Sequence, residues 1–283
     1  MSRRRLRSLY RRSLRSATGE EERMRPRLRA DPQAPELVLS PHWDDAVLDC
    51  WSVLASERDV SVVNVFAGIP PAGSGGTWEA VIGVADSSQR ARERMAEDER
   101  ALARAGRKPL HLPLLDARYR RASGRTVGLR DLDHAIGSHV SRASRVYVPA
   151  GIGGHADHVL TRRYGRALLR AGMPVSLYAD LPYCTFHGWP AWVDGGDPAP
   201  RRDVDAYWRS FLKGVEEMPA LRAGEVVRLD DASARAKSEA LSCYEASLNY
   251  SVRRLLSDPA FHRFEVRWRL SEHDAHAVSG VRA

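Results

Sequence analysis

The sequence changes from apolar to polar within one short segment, Leu37-Val-Leu-Ser-Pro41-His42-Trp-Asp44-Asp45-Ala46. The apolar triplet at its start predicts a buried strand, and the residues that follow Asp45 predict a helix. One imidazole and two adjacent carboxylates therefore stand where a strand ends and a helix begins. In open α/β sheets, ligands bind in the crevice at this edge. A plainer interpretation of the same residues is an Asp that caps the helix beside a His without function.

Short apolar runs alternate with amphipathic stretches along the chain from Glu36 onward, which is typical of βαβ units. The predicted strands lie at residues 37–39, 60–66, 110–112, 145–148, 175–178 and 225–229. The predicted helices lie at residues 46–56, 87–105, 132–141, 158–170, 205–215 and 232–244. We therefore predict an α/β fold with a Rossmann-like, doubly wound and mostly parallel sheet, flanked by helices, and a C-terminal extension on the same domain.

A second polar cluster, Gly151-Ile-Gly-Gly-His155-Ala-Asp157-His158, follows the predicted strand at 145–148 and precedes a helix. Its two histidines are three residues apart, with a carboxylate between them. The glycines allow the backbone to approach a ligand closely. A pair of histidines alone is more often part of a surface or a core than of a metal site.

Both clusters follow parallel strands, so they can meet although about a hundred residues separate them. Together they offer two imidazoles and one carboxylate to one ion and leave a position for water, which is the ligand count of a catalytic zinc site. Zinc lowers the pKa of bound water to about 7. Asp44 is then placed to accept the proton, and His155 to stabilise the oxyanion or protonate the departing amine. Asp157 is expected to hold the ring of His155 and to raise its pKa.

The motif Pro-His-x-Asp-Asp after a first strand, with His-x-Asp-His downstream, resembles the LmbE-like (PIG-L) family of zinc-dependent N-acetylglucosaminyl deacetylases. The resemblance runs from about Leu37 to Tyr250. It implies one zinc ion per chain, with iron(II) as the other candidate metal, and it implies a role for each of six residues: the metal ligands His42, Asp45 and His158, the general base Asp44, the second catalytic histidine His155 and its orienting carboxylate Asp157.

Three positions depart from the family's pattern. Many members have Pro at the position of Trp43 and Glu at that of Ala46, and neither is a ligand. Some members have a Tyr that aids the oxyanion at the position of Gly153. We therefore expect His155 or Tyr183 to supply that hydrogen-bond donor.

Four polar residues are the candidates for substrate binding: Asp116, Tyr119, Arg120 and Tyr183. Their side chains suit hydrogen bonds to sugar hydroxyls, and Arg120 suits a phosphate or carboxylate on the aglycone. The two tyrosines are equally suited to packing in the core.

The formal charge of +8 is confined to one end of the chain. Residues 1–30 hold 11 Arg and three Glu, so the remainder of the 283 residues is electrically balanced. We predict a basic arm and linker over residues 1–34 and a single deacetylase domain over residues 35–283. A solvated tail is the plainer interpretation of the arm, and weak contact with an anionic surface is the functional one. We expect no nucleic-acid partner.

Three cysteines without a CxxC pair favour reduced thiols, and no apolar run is long enough to cross a bilayer. We therefore expect a cytoplasmic protein without a transmembrane segment. The expected partner is a small N-acetylated sugar conjugate, and the sequence does not indicate the oligomeric state.

The predicted function is that of a zinc-dependent hydrolase that removes the N-acetyl group from an N-acetylglucosamine-type sugar, through zinc-activated water and the base Asp44. One alternative is an amidase that acts on another acylated amine or thiol conjugate. Another is a nucleotide-dependent Rossmann enzyme, since Gly151-x-Gly153-x-x-Ala156 fits a dinucleotide fingerprint and Asp180 follows the next strand. The last is a sugar-binding protein without catalytic activity.

Overall fold

The computed structural model describes residues 28–72, 74, 86–197, 202–244 and 258–271. The basic stretch at 1–27, Trp78 and residues 245–250 at the end of the family resemblance lie outside the described residues. The division into an arm and a domain at residue 35 stays a prediction. Leu28 is already in contact with the fold, because its backbone N–H donates to the carbonyl oxygen of Ala171 at 2.6 Å.

Seven strands of the described part form one mixed sheet in the order β3-β2-β1-β4-β5-β7-β6. Strands β1 to β5 are parallel, and β7 is antiparallel to both of its neighbours. The bounds of the strands are β1 (Glu36–Ser40), β2 (Val60–Asn64), β3 (Pro109–His111), β4 (Arg145–Pro149), β5 (Val175–Tyr178), β6 (Glu225–Arg228) and β7 (Phe264–Arg269). This architecture confirms the predicted Rossmann-like α/β fold.

Helices connect the parallel strands, as the amphipathic stretches of the sequence predict. The bounds of the described helices are α1 (Asp45–Asp49), α2 (Trp51–Leu54), α3 (Ser87–Ala103), α4 (Ala117–Ser123), α5 (Leu129–Val140), α6 (Ala156–Arg170), α7 (Ala191–Asp194), α8 (Val204–Leu212), α9 (Asp231–Leu241) and α10 (Pro259–His262). Short 3₁₀ helices lie at Tyr183–Thr185 and Leu221–Ala223. None of the helices in the described ranges has the length and apolar character needed to cross a membrane.

Strand β1 is the central element that positions the site. Its residues from Leu37 to Ser40 are buried, because helices cover both faces of a parallel sheet. It pairs in parallel with both β2 and β4, with Glu36 opposite Val60 on one side and Arg145 on the other. The order of the strands therefore reverses between β1 and β4. The crevice at the carboxyl ends of these two strands is the topological switch point, where ligands bind in folds of this class.

The structure corrects the predicted helix at residues 46–56, which is two short helices that meet at Cys50. In a continuous helix the backbone N–H of Ser52 would donate to the carbonyl of Leu48. It donates instead to Glu265 Oε2 at 3.1 Å, and the Ser52 hydroxyl donates to the same oxygen at 2.6 Å. Glu265 belongs to β7, a strand that the sequence analysis did not predict. A tertiary contact thus overrides the helical pattern.

Candidate metal centre

Three predicted ligands meet at the switch point, with nearly equal distances between the neighbouring atoms of the three side chains. Nδ1 of His42 lies 3.3 Å from Nε2 of His158, although 116 residues separate them in the chain. Nδ1 of His42 lies 3.4 Å from Asp45 Oδ2, and Nε2 of His158 lies 3.4 Å from the other carboxylate oxygen, Oδ1. Ligand atoms at roughly 2.0–2.2 Å from a tetrahedral zinc ion are about 3.3–3.5 Å apart. The side chains of His42, Asp45 and His158 therefore fit zinc in both chemistry and spacing.

The turn after β1 presents Asp44 and Asp45 differently. Asp45 Oδ2 accepts the backbone N–H of His42 at 2.7 Å, which closes the turn and aims the two side chains at the same point. Asp44 occupies the N-cap position of α1, but its side chain makes no cap hydrogen bond. Ser40 Oγ instead accepts the backbone N–H of Ala46 at 3.0 Å. The interpretation of Asp44 as a simple helix cap is therefore wrong, and its half-buried carboxylate is left for another role.

A carboxylate fixes the ring of His42 from behind. Nε2 of His42 lies 3.1 Å from Asp157 Oδ2, so the carboxylate favours a proton on that nitrogen and directs Nδ1 toward the metal position. Asp157 also accepts hydrogen bonds from the backbone N–H of Ala117 at 2.9 Å and from Nη2 of Arg120 at 2.5 Å. Burial favours the neutral acid, but the hydrogen bond from His42 outweighs it and lowers the pKa of Asp157.

A second carboxylate fixes the ring of His158 in the same way. Nδ1 of His158 lies 2.8 Å from Asp180 Oδ1, which leaves Nε2 for the metal. Asp180 is fully buried and also accepts the backbone N–H groups of Gly151 at 3.1 Å and Ile152 at 2.7 Å. The backbone amides of the glycine loop are thus hydrogen-bonded to Asp180 and are not available to a pyrophosphate. Because Asp180 is fully buried, its carboxylate cannot bind a ribose. This geometry contradicts the nucleotide-binding alternative.

The position of His155 corrects one predicted contact. We expected the Asp157 carboxylate to orient the His155 ring, but that carboxylate holds His42 instead. His155 is the N-cap of α6, and its Nδ1 accepts the backbone N–H of Asp157 at 3.3 Å. Burial, followed by the neighbouring His42 and His158, lowers the pKa of His155 to about 4, the reverse of the expected direction. These surroundings favour the neutral form of the His155 imidazole.

His155 is also the alternative to Asp45 as third ligand. A ring nitrogen of each of His42, His155 and His158 lies within 4.8 Å of the others. His155 is half-buried, whereas Asp45 is buried and its two oxygens lie 3.4 Å from the nitrogens of His42 and His158. The geometry therefore favours Asp45 as the third ligand and leaves His155 beside the metal position.

The electrostatics of the centre favour a cation. Burial alone lowers the pKa of His42, but hydrogen bonds to Asp157 and Asp45 and the charge of Asp116 outweigh it and raise the pKa to about 10. Burial and the charge of Asp45 raise the pKa of Asp44. Several carboxylates converging on one buried position stabilise positive charge there.

Two of the four predicted substrate residues are engaged within the protein. Asp116 caps α4 through the backbone N–H of Arg118 at 2.8 Å and also binds the Arg118 guanidinium. Arg120 is buried, donates to Leu115 O and Asp157, and stacks 4.6 Å above the Phe66 ring. These contacts correct the assignment of Arg120 to the substrate: it supports Asp157 from the inside.

The two tyrosines lie at different distances from the centre. Tyr183 is half-buried, and its ring centroid lies 5.7 Å from that of His158 and 6.4 Å from that of His155. Tyr119 is half-buried beside the Arg118 guanidinium, at 5.4 Å. Trp189, in the segment between β5 and α7, is buried and its Nε1–H donates to Phe261 O at 3.2 Å, so it anchors that segment. Tyr183 is thus the predicted substrate residue whose ring lies beside the rings of His155 and His158, while Asp116 Oδ2 lies 3.8 Å from Nε2 of His42.

Asp180 is the residue of this centre whose role the sequence analysis missed. Its position directly after β5, at the same edge of the sheet as both His clusters, was the signal that could have identified it.

Comparisons with known proteins identify related deacetylases. Residues 37–169 match the family model described as PIG-L: GlcNAc-PI de-N-acetylase. A triple mutant of the deacetylase Orf2 from the teicoplanin biosynthetic pathway is 25% identical, with a TM-score of 0.59 over 84% of this chain and 98% of that one. The pseudoaglycone deacetylase Dbv21 is 25% identical, with a TM-score of 0.57 over 85% of this chain and 98% of that one. The sequence matches no curated protein.

Proposed function

Because residues 37–169 match the model of the PIG-L family of de-N-acetylases, we propose that this metal-dependent N-deacetylase acts on an N-acetylglucosamine-type sugar within a glycoconjugate. The observation that carries the proposal is the convergence of His42, Asp45 and His158: the two imidazole nitrogens are 3.3 Å apart, and each lies 3.4 Å from one of the two oxygens of Asp45. The two deacetylases that are 25% identical over most of this chain support the choice of a conjugate as substrate.

His42, Asp45 and His158 hold the zinc ion in this proposal. When bound, zinc supplies Lewis acidity that lowers the pKa of water and polarises a carbonyl. Asp157 and Asp180 act through the two imidazoles as positioning residues, because each accepts the N–H of the ring nitrogen that faces away from the metal position.

Asp44 is the proposed general base. Its carboxylate is adjacent in the chain to the ligand Asp45 and is not used as a helix cap. It accepts the proton of the water that attacks the acetyl carbon and delivers that proton to the amine nitrogen as the C–N bond breaks. The products are acetate and the free amino sugar.

His155 is the proposed donor to the acetyl oxygen. Since Nδ1 accepts the N–H of Asp157, the ring hydrogen is on Nε2 and is available for the negative charge that develops on that oxygen. The hydroxyl of Tyr183 is the second candidate donor. Burial raises the pKa of Tyr183, so the hydroxyl keeps its proton.

The test is a panel of methyl and aryl N-acetylglucosaminides and of simple N-acetylated amines, assayed for released acetate. We expect acetate from the glucosaminides, its loss after dialysis against a chelator and its recovery with zinc or iron(II). Asp44→Asn serves as the inactive control. Release from the simple amines alone would favour the amidase alternative, and binding without release by the metal-loaded protein would favour a sugar-binding protein. The cytoplasmic location stays a prediction.

A further inference from the structure

A line of aromatic rings leads outward from the metal centre. The Tyr183 ring lies beside that of His155, with centroids 6.4 Å apart and planes inclined by 30°. Phe186 follows, with its centroid 5.6 Å from that of Tyr183 and the planes inclined by 76°. The line therefore begins at the candidate catalytic groups and ends one ring beyond Tyr183.

Phe186 is exposed to an unusual degree for an aromatic side chain. It is 57% exposed, and the other large apolar side chains exposed in the described part of the chain are Ile69 at 37% and Leu110 at 38%. Leaving a Phe ring in water forgoes about 1.5–3 kcal/mol of burial energy. Phe186 also lies next to the buried Cys184 and Thr185, so the chain reaches the surface here within one residue.

The segment that carries Phe186 is held firmly. The carbonyl oxygen of Tyr183 accepts the hydroxyl of Tyr207 at 3.2 Å, and that of Cys184 accepts Nε1 of the buried Trp208 at 2.8 Å. The backbone N–H of Gly188 closes the turn on Thr185 O at 2.9 Å. The exposed ring is therefore presented by an anchored turn, and a ligand that stacks on it does not have to order the segment first.

We propose that Phe186, with the outer edge of Tyr183, binds an aromatic group on the aglycone of the substrate. This inference rests on the proposed function, because the acetyl carbonyl must reach the metal centre for the sugar to lie near Tyr183 and its aglycone near Phe186. An aryl ring suits this surface better than an alkyl chain, because each neighbouring ring pair already has the offset or edge-to-face geometry that aromatic groups prefer.

The experiment compares phenyl and methyl N-acetylglucosaminides on the metal-loaded protein. Binding is measured calorimetrically in an Asp44→Asn background, and kcat/KM is measured with Asp44 intact. Phe186→Ala should lower the affinity and the kcat/KM for the phenyl glycoside by about threefold to tenfold and leave the values for the methyl glycoside unchanged. Phe186→Leu should recover only part of the loss. Leu110→Ala, which removes an exposed apolar side chain on the edge strand β3, is the matched control and should change neither glycoside.

Equal affinity of wild type and Phe186→Ala for the phenyl glycoside overturns the inference, even if both proteins release acetate. Full recovery with Phe186→Leu also overturns it, because the surface would then be apolar without being selective for aryl groups. Phe186-dependent binding of the phenyl glycoside without acetate from either substrate supports the surface assignment and contradicts the proposed function instead.

Discussion

Gly153 lies directly beneath the side chain of Tyr183. A Cβ atom at Gly153 would be 2.6 Å from the Tyr183 Cβ and 2.7 Å from its Cγ. Because these atoms are the fixed base of the side chain, Tyr183 cannot yield without moving its backbone. In this chain Tyr183, from a different loop, therefore fills the space above Gly153 and beside the histidines.

Gly153→Ala should displace Tyr183 and lower kcat/KM at least tenfold. The matched control is Gly188→Ala. Both glycines have positive φ, +90° and +83°, so both substitutions incur backbone strain of about 1–3 kcal/mol, but a Cβ at Gly188 meets no atom within 4 Å. Steady-state kinetics and thermal unfolding of the two variants measure the difference. Equal losses of activity would show that the contact with Tyr183 has no part in turnover.

The adjacent carboxylates Asp44 and Asp45 should separate catalysis from metal binding. Asp44→Asn should retain stoichiometric zinc and lose about 100-fold to 10,000-fold in kcat, the usual contribution of a general base. Asp45→Asn should lose zinc, because it removes a charged ligand. Metal analysis after gel filtration and acetate release are the two measurements. Loss of zinc in the Asp44 variant would contradict the assignment of the two roles.

Removal of the carboxylates behind the two imidazoles should weaken zinc binding without removing a ligand. Asp157→Asn and Asp180→Asn should each lower zinc affinity by about 10-fold to 100-fold, since Asn accepts less strongly from the ring N–H. Competition with a chromophoric chelator measures the affinity in the absence of substrate. Asp231→Asn, on the exposed start of α9, is the control. Unchanged affinity in both variants would mean that the ligand rings are oriented by packing alone.

A buried ion pair holds α9 to β7. Nζ of Lys237 and Oε1 of Glu265 are 3.0 Å apart, and both side chains are fully buried. Lys237→Met removes the positive partner of the buried Glu265 carboxylate, which keeps its hydrogen bonds from Ser52. The substitution should lower the free energy of unfolding by about 3–5 kcal/mol. Arg104→Met, at the exposed pair with Glu239, should cost little. Denaturant titration compares the variants, and equal small losses would contradict the importance of the buried pair.

Glu217 should make stability depend on pH. It is buried and binds Arg166 at 2.7 Å and Arg170 at 2.7 Å. Burial raises its pKa, but the hydrogen bonds and charge of Arg166 outweigh this and lower the folded-state pKa below the ordinary 4.5. The stabilisation that Glu217 gives the folded protein is therefore complete at a pH above its pKa in the unfolded chain. This stabilisation is lost as the pH falls through its lower pKa in the folded protein. Glu217→Gln should destabilise by about 1–3 kcal/mol at pH 7 and by much less near pH 3. A loss that does not depend on pH would contradict this account.

The features of the fold and site that depend on local sequence patterns were predictable. The apolar run at Leu37 and the two polar motifs placed His42 and His158 at one edge of a parallel sheet, and the structure brings them together. Partners that depend on long-range packing were not predictable. Asp157 faces His42 because α6 begins at Ala156 and turns its first carboxylate toward β1, and Asp180 reaches His158 only because β5 lies next to β4.

The C-terminal part of the sheet shows the same limit. Strand β7, Phe264–Arg269, alternates apolar and charged residues, and its charged Glu265 is buried because Lys237 and Ser52 satisfy it. A buried carboxylate of this kind leaves no pattern in the sequence, and the break that it causes in the predicted helix at Cys50 leaves none either.

The most direct test of the central claim is a crystal of the zinc-loaded protein measured at the zinc absorption edge. That claim is that the two segments of chain that follow β1 and β4 hold one metal ion between them. The account predicts a single strong anomalous peak within about 2.0–2.2 Å of Nδ1 of His42, Nε2 of His158 and a carboxylate oxygen of Asp45. A peak coordinated by His155 in place of Asp45, or no peak between the three ligands, would contradict it.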